Sequence, residues 1–264
     1  MNESALRAVE RAIEFMHSNL SEEVTIDDLA GAANFSKFHF TRLFGSVTGV
    51  SPARYLTALR LAEAKRLLLQ SESSVAEISY QVGYNSPGTF SSRFKMCVGL
   101  SPTAFRRSSG CYPLRADSRA GLAQRSAATI HGRMHAFTPP TRGETFVGIF
   151  PDAILQGVPS IYSALLEPGP FTLAGVPDGT WYVHACAAAP VASMSATATE
   201  LSAEPPYIAS SGPIVVRSDV PAMAVELVLR PRCVFDPPVL MASPEISAVG
   251  RFGEFLLEEE ASAG

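Results

Sequence analysis

SPARYLTALRLAEAKRLLLQ, residues 51–70, is the stretch that decides how this chain is read. Ser51 is placed as an N-cap, and Pro52 follows at the first helical position, where its missing N–H costs nothing. Leu, Ala, Lys, Arg and Glu then dominate, all good helix formers. On a helical wheel the apolar residues do not make one stripe. Leu61, Ala64 and Leu68 take one side. Tyr55, Ala58, Leu59 and Ala62 take nearly the opposite side, with Leu56 and Leu67 between them. A helix apolar on several faces must be covered on several faces. The expectation is a bridging helix over 52–70, wedged between two small helical domains.

The flanking sequence describes those domains, because they are copies of each other. Phe40, Phe44, Gly49, Ser51, Pro52 and Tyr55 recur as Phe90, Phe94, Gly99, Ser101, Pro102 and Phe105. Upstream, Thr25, Asp28, Leu29, Asn34 and Phe35 recur as Ser74, Glu77, Ile78, Gly83 and Tyr84. Internal repeats are the first pattern to look for in a chain of unknown fold. Thr25 with Asp28, and Ser74 with Glu77, read as capping boxes that start a short helix. Asn34 and Gly83 stand where that helix ends, and both residue types tolerate a left-handed backbone. Ser36 and Ser86 then cap a second helix, SKFHFTRLF in the first copy and SPGTFSSRF in the second. Each copy is therefore a helix-turn-helix, a unit that can lay its second helix in a DNA major groove.

With FSKFHFTRLFGSVTGVSPARYL, RLAEAKRLLL and VAEISYQVGYNSPGTFSSRFKMCVGLSPTAFRR in hand, the chain resembles the DNA-binding region of the AraC/XylS transcription regulators. The resemblance covers residues 5–107, spacing between segments included. It implies that the bridging helix holds two recognition helices in successive major grooves, about 34 Å apart. It also implies that the DNA-binding half is N-terminal here, the reverse of the commoner order.

The residues of the first recognition helix fit base reading. Phe40 and Phe44 turn inward with Leu43, leaving Ser36, Lys37, Phe38, His39, Thr41 and Arg42 for the outer face. Arg42 can pair with a guanine edge, Thr41 can touch a thymine methyl, and Phe38 can meet thymine methyls or sugars. The second helix departs from this pattern. Ser86, Pro87, Gly88, Ser91 and Ser92 include no long donor, so Arg93 and Lys95 are expected to reach phosphates and the second contact to discriminate less.

Composition agrees with a split between the two halves. The net charge is −4 over 264 residues. Residues 1–128 hold 15 basic and 11 acidic side chains, net +4, and residues 129–264 hold 6 and 14, net −8. Only the first half is suited to meet phosphate. Cys97, Cys111, Cys186 and Cys233 are far apart without CxxC spacing and read as reduced thiols of a cytoplasmic protein. The sequence has no long apolar run for a membrane span, and MNESALRAVERAIEF is charged and helical in pattern, unlike a signal peptide. Leu6, Val9, Ile13, Met16 and Leu20 make residues 4–18 an amphipathic helix that completes the first core.

The domain organisation expected is 1–107 for DNA binding, 108–128 as a Ser/Ala/Gly/Arg linker and 129–264 as a β-sandwich with a tail. In TIHGRMHAF the pattern changes to period two, with Ile130, Gly132, Met134 and Ala136 on one face. TFVGIF, SIYSALL, PFTLAGV, TWYVHACAA, PIVVRS and AVELVLR follow as short strands between turn signals. That spacing indicates an antiparallel sandwich or barrel. GPFTLAGVPDGTWYVHA is similar to carboxypeptidase regulatory-like, transthyretin-like sandwich modules, whose form here implies a hairpin through Pro177-Asp178-Gly179. A short helix is expected near Phe252–Leu257. His131 and His135 share one strand face and His184 and Cys186 another, a metal-binding set only if those strands are neighbours. No phosphate loop, nucleophile elbow or acid/base pair is visible.

The function expected is a sequence-specific transcription regulator, not an enzyme and without a cofactor. Its partners are double-stranded DNA and RNA polymerase. For the sandwich three roles stay open: binding a small-molecule effector, forming a homodimer, or touching a partner protein. The alternatives are a purely assembly role for that domain and, from a different class, a DNA-tethered enzyme.

Overall fold

Capping residues and apolar periodicity coincide throughout the first part of the chain, and helices form there. They are α1 (Glu3–Ser18), α2 (Ile26–Ala33), α3 (Lys37–Thr48), α4 (Pro52–Gln70), α5 (Val75–Gln81), α6 (Pro87–Val98) and α7 (Pro102–Arg107). The computed structural model describes residues 3–112, 128–136, 145–187, 205, 207–217, 219–220 and 222–244. Helix α1 buries Ala8, Val9, Ala12, Ile13 and Met16 along one face. In α4 the buried set is Tyr55, Leu56, Ala58, Leu59, Leu61, Ala64 and Leu68, which spreads around the helix as the wheel requires. Neighbours α1, α3, α5 and α7 cover it.

The strands are β1 (Cys111–Tyr112), β2 (Ala128–Ala136), β3 (Thr145–Phe150), β4 (Ile161–Leu165), β5 (Pro170–Val176), β6 (Gly179–Ala187), β7 (Tyr207–Val216), β8 (Ala222–Pro231) and β9 (Ser243–Pro244). Seven of them join in the order β4-β3-β6-β7-β8-β2-β5. Between β7 and β8 only Tyr207↔Pro231 and Ile208↔Arg230 are paired, so this junction is a corner. It separates a four-stranded layer, β4-β3-β6-β7, from a three-stranded one, β8-β2-β5. All seven strands send side chains to one apolar core, including Ile130, Val147, Leu173, Val183, Val216 and Leu227, with Ile161 and Leu165 against it. A shared core requires the two layers to face each other.

Three features differ from the sequence expectation. The sheet is mixed, not wholly antiparallel, because β2 and β8 run parallel from Thr129↔Ala222 to Ala136↔Leu229. Periodicity reports which face a residue takes but not the direction of its partner strand. The segment expected as a hairpin is a crossing between layers: β5 pairs with β2, whereas β6 pairs with β3 and β7. The turn is nevertheless well held, since Trp181 Nε1 donates to Pro177 O at 2.8 Å. Strand β7 begins earlier than PIVVRS implies. Gly212 and Pro213 look like a turn but form a bulge opposite Tyr182, where the missing proline N–H is tolerated.

The chain divides into two compact units. One gathers Met1–Gly110 with two later segments, Ala153–Gly157 and Arg232–Ala242. The other holds Cys111–Asp152, Val158–Pro231 and Ser243–Gly264. The two-residue strands β1 and β9 pair parallel within this second unit. Most of the expected linker, and the expected helix near Phe252–Leu257, lie outside the described residues. No helix among the described residues is long and apolar enough to cross a membrane.

Candidate nucleic-acid interface

Each motif is built by the same local devices. Thr25 Oγ1 accepts from the Asp28 amide at 3.2 Å while the Asp28 carboxylate accepts the Thr25 amide at 2.8 Å, completing one capping box. Ser74 and Glu77 repeat it at 3.2 and 2.7 Å. Helix α2 ends at Asn34, whose φ of 59° is left-handed, and the Phe35 amide returns to Ala30 O. Helix α5 ends the same way, with Gly83 at φ 79° and the Tyr84 amide on Ser79 O. These bonds satisfy the last carbonyls of each short helix and set the tight turn into the next.

The second helix of each motif is anchored by three rings. Phe40 lies 5.5 Å from Phe44, which meets Tyr55 edge-on at 5.4 Å. Phe90, Phe94 and Phe105 repeat this at 5.6 and 5.6 Å. Edge-to-face packing of this kind fixes orientation as well as burying area. With the phenylalanines buried, α3 has one face left over.

That face carries the residues expected to read bases. Ser36, Lys37, Phe38, His39, Thr41 and Arg42 are all exposed, and Phe38 is 77% exposed. No side-chain hydrogen bond from Ser36 caps α3. The His39 ring stacks on Phe35 at 4.7 Å, which holds it against the helix start. The Thr41 hydroxyl donates to Lys37 O at 2.8 Å, so towards a base edge Thr41 offers its methyl and a lone pair. Lys37 lies 3.6 Å from Asp27, an exposed pair of small energetic weight. On α6, Ser86 caps the helix through the Thr89 amide at 3.4 Å and Pro87 takes its first turn. Gly88, Ser92, Arg93 and Lys95 are exposed, while Pro87 and Ser91 are half-buried.

Several arginines of the basic half hold the scaffold. Arg60 donates to Leu20 O at 2.9 Å and to Glu22 O at 2.6 Å, tying α4 to the loop before α2. Burial pulls its guanidinium below the ordinary arginine range. Arg106 donates to Leu68 O at 2.9 Å and Ser73 O at 2.7 Å, tying α7 to the loop before α5. Arg11 reaches Ala33 O at 3.1 Å. Charge counting from sequence missed this structural use. The outward cations are therefore fewer than the net charge implies, and Arg42, Arg93 and Lys95 stand among them.

The four residues considered for a metal are not brought together. Strand β2 lies in the three-stranded layer and β6 in the four-stranded one. His131 and His135 are exposed, with His135 Nε2 2.8 Å from Glu226. His184 is buried. Its Nε2 must donate to Asp152 O at 2.8 Å, because a carbonyl only accepts, so Nδ1 accepts from Ser210 at 2.7 Å. Burial lowers the His184 pKa from 6.5, outweighing the Asp152 carbonyl and charge that raise it. Between the unfolded and folded values the unfolded state binds more protons, so stability falls as pH drops below about 6.5. Urea midpoints taken from neutral to mildly acidic pH should show that decline, and His184→Leu should flatten it. An unchanged slope in the variant would assign the decline to other groups.

Residues 29–108 match the Helix-turn-helix domain family. The chain is similar to the lactose operon transcription activator of Staphylococcus xylosus, at 33% identity over 98 residues, 37% of this chain and 35% of that protein. It is similar to the transposon Tn10 TetD protein of Escherichia coli, at 34% over 93 residues, 35% of this chain and 67% of that one. A solved transcriptional regulator from Chromobacterium violaceum, described as AraC-type, aligns at 29% identity and TM-score 0.39, over 40% of this chain and 96% of the other. The chain spans about a third of the length of the lactose operon activator.

Proposed function

The chain belongs to the AraC/XylS family of helix-turn-helix transcription regulators, and from that premise we propose that it binds operator DNA sequence-specifically through α3 and α6. The two helices enter successive major grooves, about one helical turn apart. The observation that carries this reading is the outward face of α3. A helix pinned by two buried phenylalanines presents Lys37, Phe38, His39, Thr41 and Arg42 together to solvent. An exposed Phe38 is a poor solvent-facing residue but a good contact for thymine methyls and sugars.

Arg42 reads a base edge, and Arg93 and Lys95 hold phosphates for the less discriminating second motif. Lys37 and Ser36 position the first helix, with Ser86, Pro87, Gly88, Ser91 and Ser92 shaping the shallower surface of the second. The lactose operon activator's name points to control of an operon's transcription, and on this reading the chain acts on DNA in the cytoplasm with RNA polymerase as its downstream partner. The sandwich modulates that binding through a small ligand or a partner protein. No catalytic step is required.

Selection of sites from random DNA by the full chain tests the proposal. The expected motif is strong over one half-site and vague one turn away. In the same assay Arg42→Ala should cost about 1–3 kcal/mol and relax preference at one base pair. Equal weakening on selected and random DNA would make Arg42 a phosphate contact, and failure of the wild type to select any motif at low salt would sink the regulator reading.

A further inference from the structure

The two helix-turn-helix copies differ where two later segments of the chain meet them. In the first copy Thr48 closes the end of α3 locally: its hydroxyl donates to Phe44 O at 2.9 Å and accepts from the Val50 amide at 3.4 Å. The matching residue of the second copy is Val98, whose side chain can do neither. Two terminal carbonyls of α6 take amides from outside the helical region. Ala242 N donates to Val98 O at 3.0 Å, and Gly157 N donates to Cys97 O. Such terminal carbonyls have no partner within their own helix.

A second difference points to the same segments. Tyr55 corresponds to Phe105, and only Tyr55 has a hydroxyl. That hydroxyl donates to Val234 O at 2.6 Å, with Asp236 O at 3.1 Å. Burial pushes its pKa well above the ordinary tyrosine value. One helical stretch further along α4, Lys65 Nζ donates to Val239 O at 2.9 Å and Met241 O at 3.2 Å, and lies 5.9 Å from the centre of the Phe105 ring. The two segments also bind each other, since Leu240 N donates to Leu155 O at 2.9 Å. Ile154, Leu155, Val239, Leu240, Met241 and Ala242 are buried. Both segments belong to the helical unit by their contacts, although residues 232–242 continue directly from the end of β8.

We propose that residues 153–157 and 232–242 form a positioning clasp of the DNA-binding unit: held by Tyr55 and Lys65 of the bridging helix, they cap the end of α6 and set that recognition helix against α4. The inference rests on the DNA-binding reading above and adds that the second half-site contact depends on chain far outside the family's helical region. Lys65 and the Tyr55 hydroxyl are positioning groups acting on DNA through α6, whereas the Tyr55 ring packs on Phe44 of α3 and is kept in Tyr55→Phe. As proposed, the clasp acts on the second motif and leaves the first independent of it.

The test uses the full chain and two DNA probes, the selected site intact and the same site with its second half scrambled. Lys65→Met removes the donors to Val239 and Met241, and Tyr55→Phe removes the hydroxyl with less disturbance, so it decides the matter if Lys65→Met does not fold. Each folded variant should lose about tenfold on the intact site, within the usual range of coupling between sites, while binding the half-scrambled site as the wild type does. In the wild type, intact-site DNA should also slow amide exchange at Ala242 and Leu240, and half-scrambled DNA should not. Equal losses on both probes, or no loss with either variant, would overturn the clasp. A wild type that selects no site fails the regulator reading itself and is seen before any variant is made.

Discussion

Phe94→Ala is expected to destabilise the helical unit by about 3–5 kcal/mol. The ring is fully buried and sits between Phe90, at 5.6 Å and 51°, and Phe105, at 5.6 Å and 77°. Truncation forfeits the transfer energy of the ring and leaves a cavity between α6 and α7. It also removes two ring contacts worth roughly 0.5–1.5 kcal/mol each beyond their area. Collapse of the site is resisted, because Phe105 is locked by its own burial and α7 is tied back to α4's end through Arg106. A native domain has only about 5–15 kcal/mol in hand, so this one change removes a large share. Urea unfolding followed by helical circular dichroism measures it. A loss below about 1 kcal/mol would show that α6 is not held through this ring.

Gly83→Ala should be nearly as severe, by a different route. Gly83 has φ 79°, and a Cβ there would lie 2.3 Å from Leu20 O and 2.9 Å from the Arg60 guanidinium carbon. The left-handed backbone alone costs roughly 1–2 kcal/mol for a residue with a Cβ. The clash is worse than that strain, because Leu20 O is the acceptor that Arg60 holds at 2.9 Å. Moving either group loosens a charge-assisted bond, worth about 1.5–3 kcal/mol. A total of about 3 kcal/mol or more follows. The control is the same turn in the first copy. Asn34, at φ 59°, already carries a Cβ, so Asn34→Ala should cost only about 1–2 kcal/mol. Equal losses at the two positions would show that the packing against Leu20 and Arg60 contributes nothing.

The two copies show which parts of the site were legible before any coordinates. Capping boxes, left-handed turns and buried phenylalanines are local devices whose partners lie within a few residues, so spacing alone locates them. The exposed face of α3 follows from Phe40 and Phe44 by subtraction. The struts were not legible. Arg60 and Arg106 entered the sequence reading only as counted positive charges, yet their acceptors are backbone carbonyls 33 to 40 positions away. The only local hint of the clasp was the breaking of the repeat itself, Tyr55 against Phe105 and Thr48 against Val98, which has meaning only once the partner segments are seen.

By itself the sequence determined the first amphipathic helix, the bridging helix, the tandem helix-turn-helix units and the alternating faces of strands such as β2, because helix and strand periods and cap chemistry act over a few residues. Tertiary structure alone decided the parallel β2–β8 pair, the crossing of the Pro177–Gly179 turn between layers, and the return of residues 153–157 and 232–242 to the helical unit. Those choices depend on which distant groups satisfy one another's hydrogen bonds and bury one another's surface, and no local period encodes a partner that lies dozens of residues or more away.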